Sequence, residues 1–306
     1  MDDYFGMAGV SLRITHQADE LFRALDSELR FYRQTAPALH HCSLILRPVE
    51  SDVLIPEKAV RTNVWEGKSV YSHGGGIHVL GENGAYLAKI DYARKELSID
   101  YRESGPGLRK VARWLLKWLI IMTAQERGLT YIHASAVSFR GRNVIFCGDS
   151  NCGKSSSLLR LVSEGGEAIT DDSVLWDGSS LIPFSMNTTI DPDLERRFGI
   201  RSEDFQIGAL IDHSKTYKAP STVIFLRIWN SRDSEARNLD YGRALLSLMR
   251  IYKKEIPFLW SSLEEGTGPA RIFERYAEFL KGASFYELYA GRDEAEVRRK
   301  ILSLIS

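Results

Sequence analysis

Residues 143–163 read Asn143-Val-Ile-Phe-Cys147, then Gly148-Asp-Ser-Asn-Cys-Gly-Lys154-Ser155, then Ser156-Ser-Leu-Leu-Arg-Leu-Val-Ser163. A short apolar run enters a glycine-bearing loop, and a helical pattern leaves it. The middle matches G-x-x-x-x-G-K-[ST] in full, with a strand before it and a helix after it. Glycines let the backbone curl so that successive N–H groups converge on phosphate oxygens at the helix N-terminus. Lys154 supplies a flexible positive charge for the β/γ-phosphates, and Ser155 offers a hydroxyl to Mg²⁺. Gly148, Asp149, Ser150, Asn151, Cys152, Gly153, Lys154, Ser155 and Ser156 therefore form a candidate nucleotide-binding loop. The strand–loop–helix unit sets the fold class as α/β, of a mixed α+β kind.

Downstream, Gly165-Gly166 ends the helix, and Glu167-Ala-Ile-Thr170 runs into Asp171-Asp172. Strands that run parallel place their carboxyl ends together, which brings the two acids back toward the phosphates. One carboxylate serves the metal while the other accepts a proton from an attacking hydroxyl. Two like charges side by side raise one pKa, and Mg²⁺ offsets that. An Asp-Asp pair before Ser173 also fits a solvated turn. Its place after a phosphate loop favours the chemical reading. Ser155 and Asp172 are the candidate metal-side oxygens; Lys154, Asp171 and Asp172 are candidate catalytic groups.

The whole chain has 306 residues, 40 Lys+Arg against 40 Asp+Glu, and no formal net charge. That length suggests about two domains. The even charge argues against a protein that coats nucleic acid or an anionic membrane surface. The start, Met1-Asp2-Asp3-Tyr4-Phe5, is acidic and lacks a secretory h-region. The most apolar stretch, Trp114 to Met122, is interrupted by Lys117 and falls short of the ~20 residues that cross a bilayer. Three cysteines, Cys42, Cys147 and Cys152, form no zinc or disulfide pattern. A cytoplasmic protein is expected.

Around the loop, Asp19 to about Arg33 carries apolar residues at helical spacing, Cys42 to Pro48 reads as a strand, and Tyr86 to Tyr101 reads as a hairpin about Ala93-Arg94-Lys95. A strong helix opens at Ser104 and Pro106 and closes at Gly128, with one broad apolar stripe from Leu108 to Met122. It is expected to dock the N-terminal part on the later half of the chain. Tyr131 to Ser138 reads as one strand, turning at Arg140-Gly141-Arg142. Val174 to Trp176 turns at Asp177-Gly178, Thr222 to Trp229 is a buried strand, and three helices lie near 239–252, 270–281 and 293–304. The expected organisation is an N-terminal mixed α/β substrate-recognition domain, 1–104, and a catalytic domain, 105–306.

Taken together, His133, the Gly148–Ser155 loop and Asp171-Asp172 resemble, in order and spacing, the HPr kinase/phosphorylase family. That family's kinase domain shares its fold core with phosphoenolpyruvate carboxykinase. His133-Ala-Ser-Ala-Val137 is similar to a broader group of HPr-kinase-related proteins found beside peptide-modifying enzymes, including kinases of a lasso-peptide precursor serine. The likeness covers about residues 130–180, extends weakly to 218–226, and leaves 1–104 uncovered. It implies that Lys154 and Ser155 hold ATP and Mg²⁺, that one of Asp171 and Asp172 is the base and the other lies near the metal, and that His133 sits next to the phosphates as a further catalytic residue. It also implies a peptide or protein acceptor and, since HPr kinases form hexamers, a homo-oligomer as an option. Two departures stand out: Asn151-Cys152 replaces small residues, and the longer glycine-rich downstream signature is missing. The second argues against HPr itself as acceptor and against the pyrophosphate-producing reverse reaction.

Other segments carry weaker signals. Ser185 to Asp193 reads either as a groove lining or as a loop with Asp191 capping a helix from Pro192. Lys215, Lys218 and Arg227 read as solvated charges, and Gly74-Gly75-Gly76 as a turn. Cys152 sits at a helix N-terminus, a position that lowers a thiol pKa. Three functions compete: a kinase for a serine-type hydroxyl on a peptide or protein, a phosphate-loop kinase for a small hydroxyl metabolite, and a non-catalytic nucleotide-sensing scaffold. An intact Lys154 and Asp171-Asp172 argue against the last. The loop lies far into the chain, whereas small-metabolite kinases normally open with it, and that favours the first.

Overall fold

The computed structural model describes residues 1–306 apart from 8, 18, 36–39, 52, 66–67, 74, 187–209 and 257–267. Its residues form two compact units, Met1–Arg127 and Gly128–Ser306. Residues 187–193, where a helix cap is expected, lie outside the described residues, as does Gly74.

The first unit is a nine-stranded mixed sheet. Its strands are β1 (Asp2–Met7), β2 (Val10–Thr15), β3 (Arg33–Gln34), β4 (Cys42–Pro48), β5 (Val60–Trp65), β6 (Lys68–His73), β7 (Gly76–Leu80), β8 (Tyr86–Asp91) and β9 (Glu96–Tyr101), in the order β3-β1-β2-β4-β9-β8-β7-β6-β5. The β8–β9 hairpin turns over 92–95 as its alternation predicts, and β6 meets β7 through His73 opposite Gly76. Helix α1 (Glu20–Leu29) is capped by Asp19, which accepts the Phe22 N–H, and buries Leu21, Phe22, Leu25 and Leu29.

Helix α2 (Pro106–Glu126) packs on β2, β4, β8, β9 and α1. The sequence predicts a domain edge at residue 104 and gives this helix to the second half. In the structure α2 groups with the first sheet, so the division falls after Arg127. The predicted stripe is also wider than expected. Ala112, Leu116, Ile120, Ile121 and Ala124 are buried beside Leu108, Val111, Leu115, Trp118, Leu119 and Met122. Apolar side chains nearly all round require cover on most sides, and α2 finds it as a core element of its unit. No helix among the described residues is long and apolar enough to cross a membrane.

The second unit holds two sheets. Strands β10 (Thr130–Ile132), β14 (Ser173–Trp176), β15 (Ser180–Phe184) and β16 (Tyr217–Lys218) form one, in that order. Strands β11 (Ala134–Phe139), β12 (Arg142–Cys147), β13 (Glu167–Thr170), β17 (Thr222–Ile228), β18 (Glu235–Asn238) and β19 (Ser284–Ala290) form the other, ordered β13-β11-β12-β17-β19-β18. Helices α3 (Lys154–Ser163) and α6 (Glu294–Ile305) close over Val137, Phe146, Ile224 and Leu288 with Leu158 and Ile301. Helices α4 (Tyr241–Glu255) and α5 (Pro269–Phe279) pack on each other. Strand β19 went unforeseen: Ser-Phe-Tyr-Glu-Leu-Tyr-Ala lies between two helical patterns, and its extended form follows from parallel pairing with β17.

Tyr131 to Ser138, predicted as one strand, is split at His133 between the two sheets. Its partner splits too, at Asp171-Asp172 between β13 and β14. The two strands stay antiparallel through the break, with Ile132 opposite Val174 and Ala136 opposite Thr170. Between those pairs the Ala134 N–H donates to the Asp172 carbonyl at 3.2 Å. A two-stranded ribbon thus leaves one sheet and joins the other, and the candidate residues sit at its crease.

Leu119 is fully buried in the first unit. Leu119→Ala is expected to destabilise that unit by about 2–5 kcal/mol, read as a lower urea midpoint for its unfolding transition.

Candidate functional site

The loop between β12 and α3 has the backbone its motif requires. Gly148 takes φ 154°, and a Cβ there would lie 2.8 Å from the Leu226 carbonyl oxygen and 2.5 Å from Cys152 Sγ. Gly153 takes φ 96° and begins α3 as its N-cap. Both demand glycine, one for closeness and one for handedness. Ser150 and Asn151 are exposed at the loop tip, where Asn151 adopts a left-handed φ of 62°. Ser155 and Ser156 are half-buried in the first turn of α3.

Lys154 is buried, and its Nζ donates to the carbonyls of Gly148 at 3.1 Å and Asp149 at 3.0 Å. The loop therefore wraps its own lysine. Asp149 points elsewhere and accepts from Lys254 Nζ at 2.9 Å. That hydrogen bond, with the charges of Lys254, Arg250 and Arg227 nearby, holds the Asp149 carboxyl below the usual range despite partial burial.

Cys152 corrects one sequence expectation. Its thiol packs into the core with Phe146, Leu158 and Leu226, and burial pushes its pKa up rather than letting the helix end lower it. Desolvation of the thiolate outweighs the nearby positive charge of Lys154.

The crease supplies the acids. Strand β13 is not the direct neighbour of β12, as the parallel-neighbour expectation has it; β11 lies between them and is antiparallel to both. Strands β12 and β13 therefore still point the same way. Their carboxyl ends and the start of β11 meet at one edge, which is why the loop, Asp171-Asp172 and His133 converge.

Asp171 is the inner carboxylate. It accepts from Ser135 Oγ at 3.0 Å and from Ser155 Oγ at 3.1 Å. Burial raises its pKa to about 7; Asp172 adds to the rise, while the two serines and Lys154 oppose it. Asp172 is the outer one, its side chain 18% exposed. It accepts from Ser173 Oγ at 3.0 Å and faces His133 Nδ1 at 3.6 Å. The other ring nitrogen, Nε2, lies 3.7 Å from Glu255 Oε1 at the end of α4. The sequence placed Asp172 beside Ser155; the structure brings Asp171 there instead.

Ser155 Oγ and Asp171 Oδ2 form a hard oxygen pair suited to Mg²⁺. No group of three or more His, Cys, Asp and Glu among the described residues could hold a metal by itself. A cation here would take one or two protein oxygens and complete its shell from phosphate and water, as Mg²⁺ does. Lys215 pairs with Glu167 at 2.7 Å, Lys218 is exposed, and Arg227 pairs with Glu287 at 2.8 Å. Sequence reasoning missed Ser135, Lys254 and Glu255. Ser135 had a signal, since it stands two positions from His133 in an alternating strand. Lys254 and Glu255 are distant in sequence and had none.

No family model matches the chain. A curated relative, the HPr kinase/phosphorylase of Exiguobacterium sp., is 31% identical over 153 residues, which are 48% of this chain and 46% of the relative. Over those residues the chain is similar to HPr kinase/phosphorylase. It spans somewhat under half the length of that relative. Among solved structures, the HPr(Ser) kinase/phosphatase from Coxiella burnetii aligns over 57% of this chain and 88% of its own, at 13% identity and a TM-score of 0.29.

The raised pKa of Asp171 carries a stability consequence. The ordinary value for the side chain is 3.8 and its folded value about 7, so the neutral acid is the form that the folded state tolerates better. The stability it contributes is full below about pH 4 and is lost as pH rises through about 7. In EDTA, Asp171→Asn is expected to melt above wild type at about pH 8, with the gap closing near pH 4; circular dichroism melts at the two pH values check this.

Proposed function

We propose that the chain is an ATP- and Mg²⁺-dependent kinase that moves the γ-phosphate to a serine-type hydroxyl of a peptide or protein. One observation carries the reading: the strand–loop–helix lysine and serine meet two adjacent carboxylates of unequal exposure at a single sheet edge. Such a constellation is what phosphoryl transfer needs, because positioning and charge do most of the catalytic work.

In this reading the loop N–H groups and Lys154 cradle the triphosphate. Ser155 and Asp171 form the metal side, Asp171 keeping the Ser155 hydroxyl oriented through the 3.1 Å contact. When bound, Mg²⁺ neutralises charge on the phosphate oxygens and offsets the desolvation of Asp171. Asp172, the more open carboxylate, accepts the proton of the acceptor hydroxyl, with the His133 ring facing it at 3.6 Å. This assigns the two acids in the order opposite to the one the sequence favoured for the metal.

A peptide or protein acceptor is supported by the relative's name, which gives HPr as its target. The missing downstream signature argues for an acceptor other than HPr and against the phosphorolytic direction. Recognition of that acceptor falls to the first unit, for which the nucleotide chemistry has no other use.

With γ-labelled ATP and a peptide panel, Lys154→Ala and Asp172→Asn are each expected to lower transfer by about 100-fold or more. Asp171→Asn is expected to raise the Mg²⁺ concentration needed for half-maximal rate. Transfer that survives Lys154→Ala and Asp172→Asn overturns the mechanism. Transfer only to small hydroxyl compounds overturns the acceptor class.

A further inference from the structure

Helix α4 ends with Lys253-Lys254-Glu255, and Ile256 comes after it. Cations suit the last turn of a helix, where unpaired carbonyls carry partial negative charge, and an acid does not. Glu255 is nonetheless the final helical residue, and it is only 8% exposed. Burial and the helix end both disfavour a carboxylate at this position. Its placement against His133 gives it a local role.

Glu255 Oε1 lies 3.7 Å from His133 Nε2, within ion-pair range and longer than a hydrogen bond. Across the ring, Nδ1 faces Asp172 Oδ1 at 3.6 Å. The preceding residue, Lys254, holds Asp149 of the phosphate loop at 2.9 Å. One turn earlier, Tyr252 packs against the rings of Tyr131 and Tyr276 at 6.5 and 6.1 Å. Tyr276 in turn donates its hydroxyl to the Tyr131 carbonyl at 2.7 Å, two residues before His133. The last turn of α4 is thus registered against β10 and reaches both the loop and the imidazole.

We propose that Glu255 is a positioning residue of the phosphoryl-transfer site, acting through His133. A carboxylate on one ring nitrogen fixes which nitrogen carries the proton and how the ring is turned. With Glu255 seating the ring at its Nε2 edge, the Nδ1 edge is turned toward Asp172, and the ring's orientation sets where the outer carboxylate lies. Glu255 touches neither nucleotide nor acceptor in this arrangement. The proposal rests on the kinase reading for its kinetic part alone.

The experiment uses the full chain with ¹⁵N-labelled histidine and the variants Glu255→Gln, Glu255→Asp and His133→Gln. In NMR spectra, Glu255→Gln is expected to move the imidazole nitrogens of His133 while those of His16 and His78, in the first unit, stay in place. In phosphoryl transfer, Glu255→Gln is expected to lower kcat by about tenfold with KM for ATP unchanged, and Glu255→Asp to recover part of the loss. In the His133→Gln background, Glu255→Gln is expected to cost nothing further, since residues that act as one unit are non-additive. Unmoved His133 signals, or the same loss of kcat with and without His133, overturn the proposal. Absence of transfer in wild type overturns the kinase reading instead, and the NMR comparison then still decides the contact. Thermal melts identify any variant that fails to fold, and the near-isosteric Gln keeps the comparison available where a smaller side chain would not.

Discussion

The ribbon that crosses from the six-stranded to the four-stranded sheet is the constraint on which the candidate site depends. Strands β10 with β14 and β11 with β13 satisfy their backbone groups on either side of the break. At the crease itself, the Ala134 N–H meets the Asp172 carbonyl, and Ser135 Oγ meets both the carbonyl and the carboxylate of Asp171. Buried backbone groups need partners, so the crease cannot relax without leaving several unsatisfied. His133 and the two acids are held where regular pairing pauses.

Electrostatics then divides the acids by role. Asp149 and Asp171 lie on neighbouring elements, yet the first has a lowered pKa and the second a raised one. Asp149 is partly exposed and lies among Lys254, Arg250 and Arg227, whereas Asp171 is buried with only hydroxyls and Lys154 to offset its desolvation. A carboxylate that holds protons tightly also gains most from a cation brought beside it. In the proposed reading the inner acid is therefore the one suited to a metal ion.

Local sequence was a good guide wherever a structural element closes on itself. The β8–β9 hairpin, the turn at Asp177-Gly178 and the strand–loop–helix around Lys154 follow from alternation, turn residues and glycine positions that lie within a few residues of each other. It was a poor guide where an element answers to distant partners. Helix α2 has an apolar surface that says only that it is buried, and the sheet that buries it was decided by β2, β4, β8 and β9. The run from Tyr131 to Ser138 looks continuous because its residues suit either sheet, and its break is set by the matching break at Asp171-Asp172.

By itself the sequence determined the phosphate loop, the acids downstream of it, the histidine before it and the mixed α/β class, because each rests on short-range chemistry that the chain writes in order. Only the tertiary structure decided that β11 lies between β12 and β13, that Ser155 meets Asp171 and not Asp172, and that Cys152 is buried below the loop. It also decided that Lys254 and Glu255, more than a hundred residues along the chain from Asp149 and His133, lie beside them. The reason is the same in each case. Sheet order, burial and contacts between remote residues are settled by which surfaces meet on folding, and no local pattern records them.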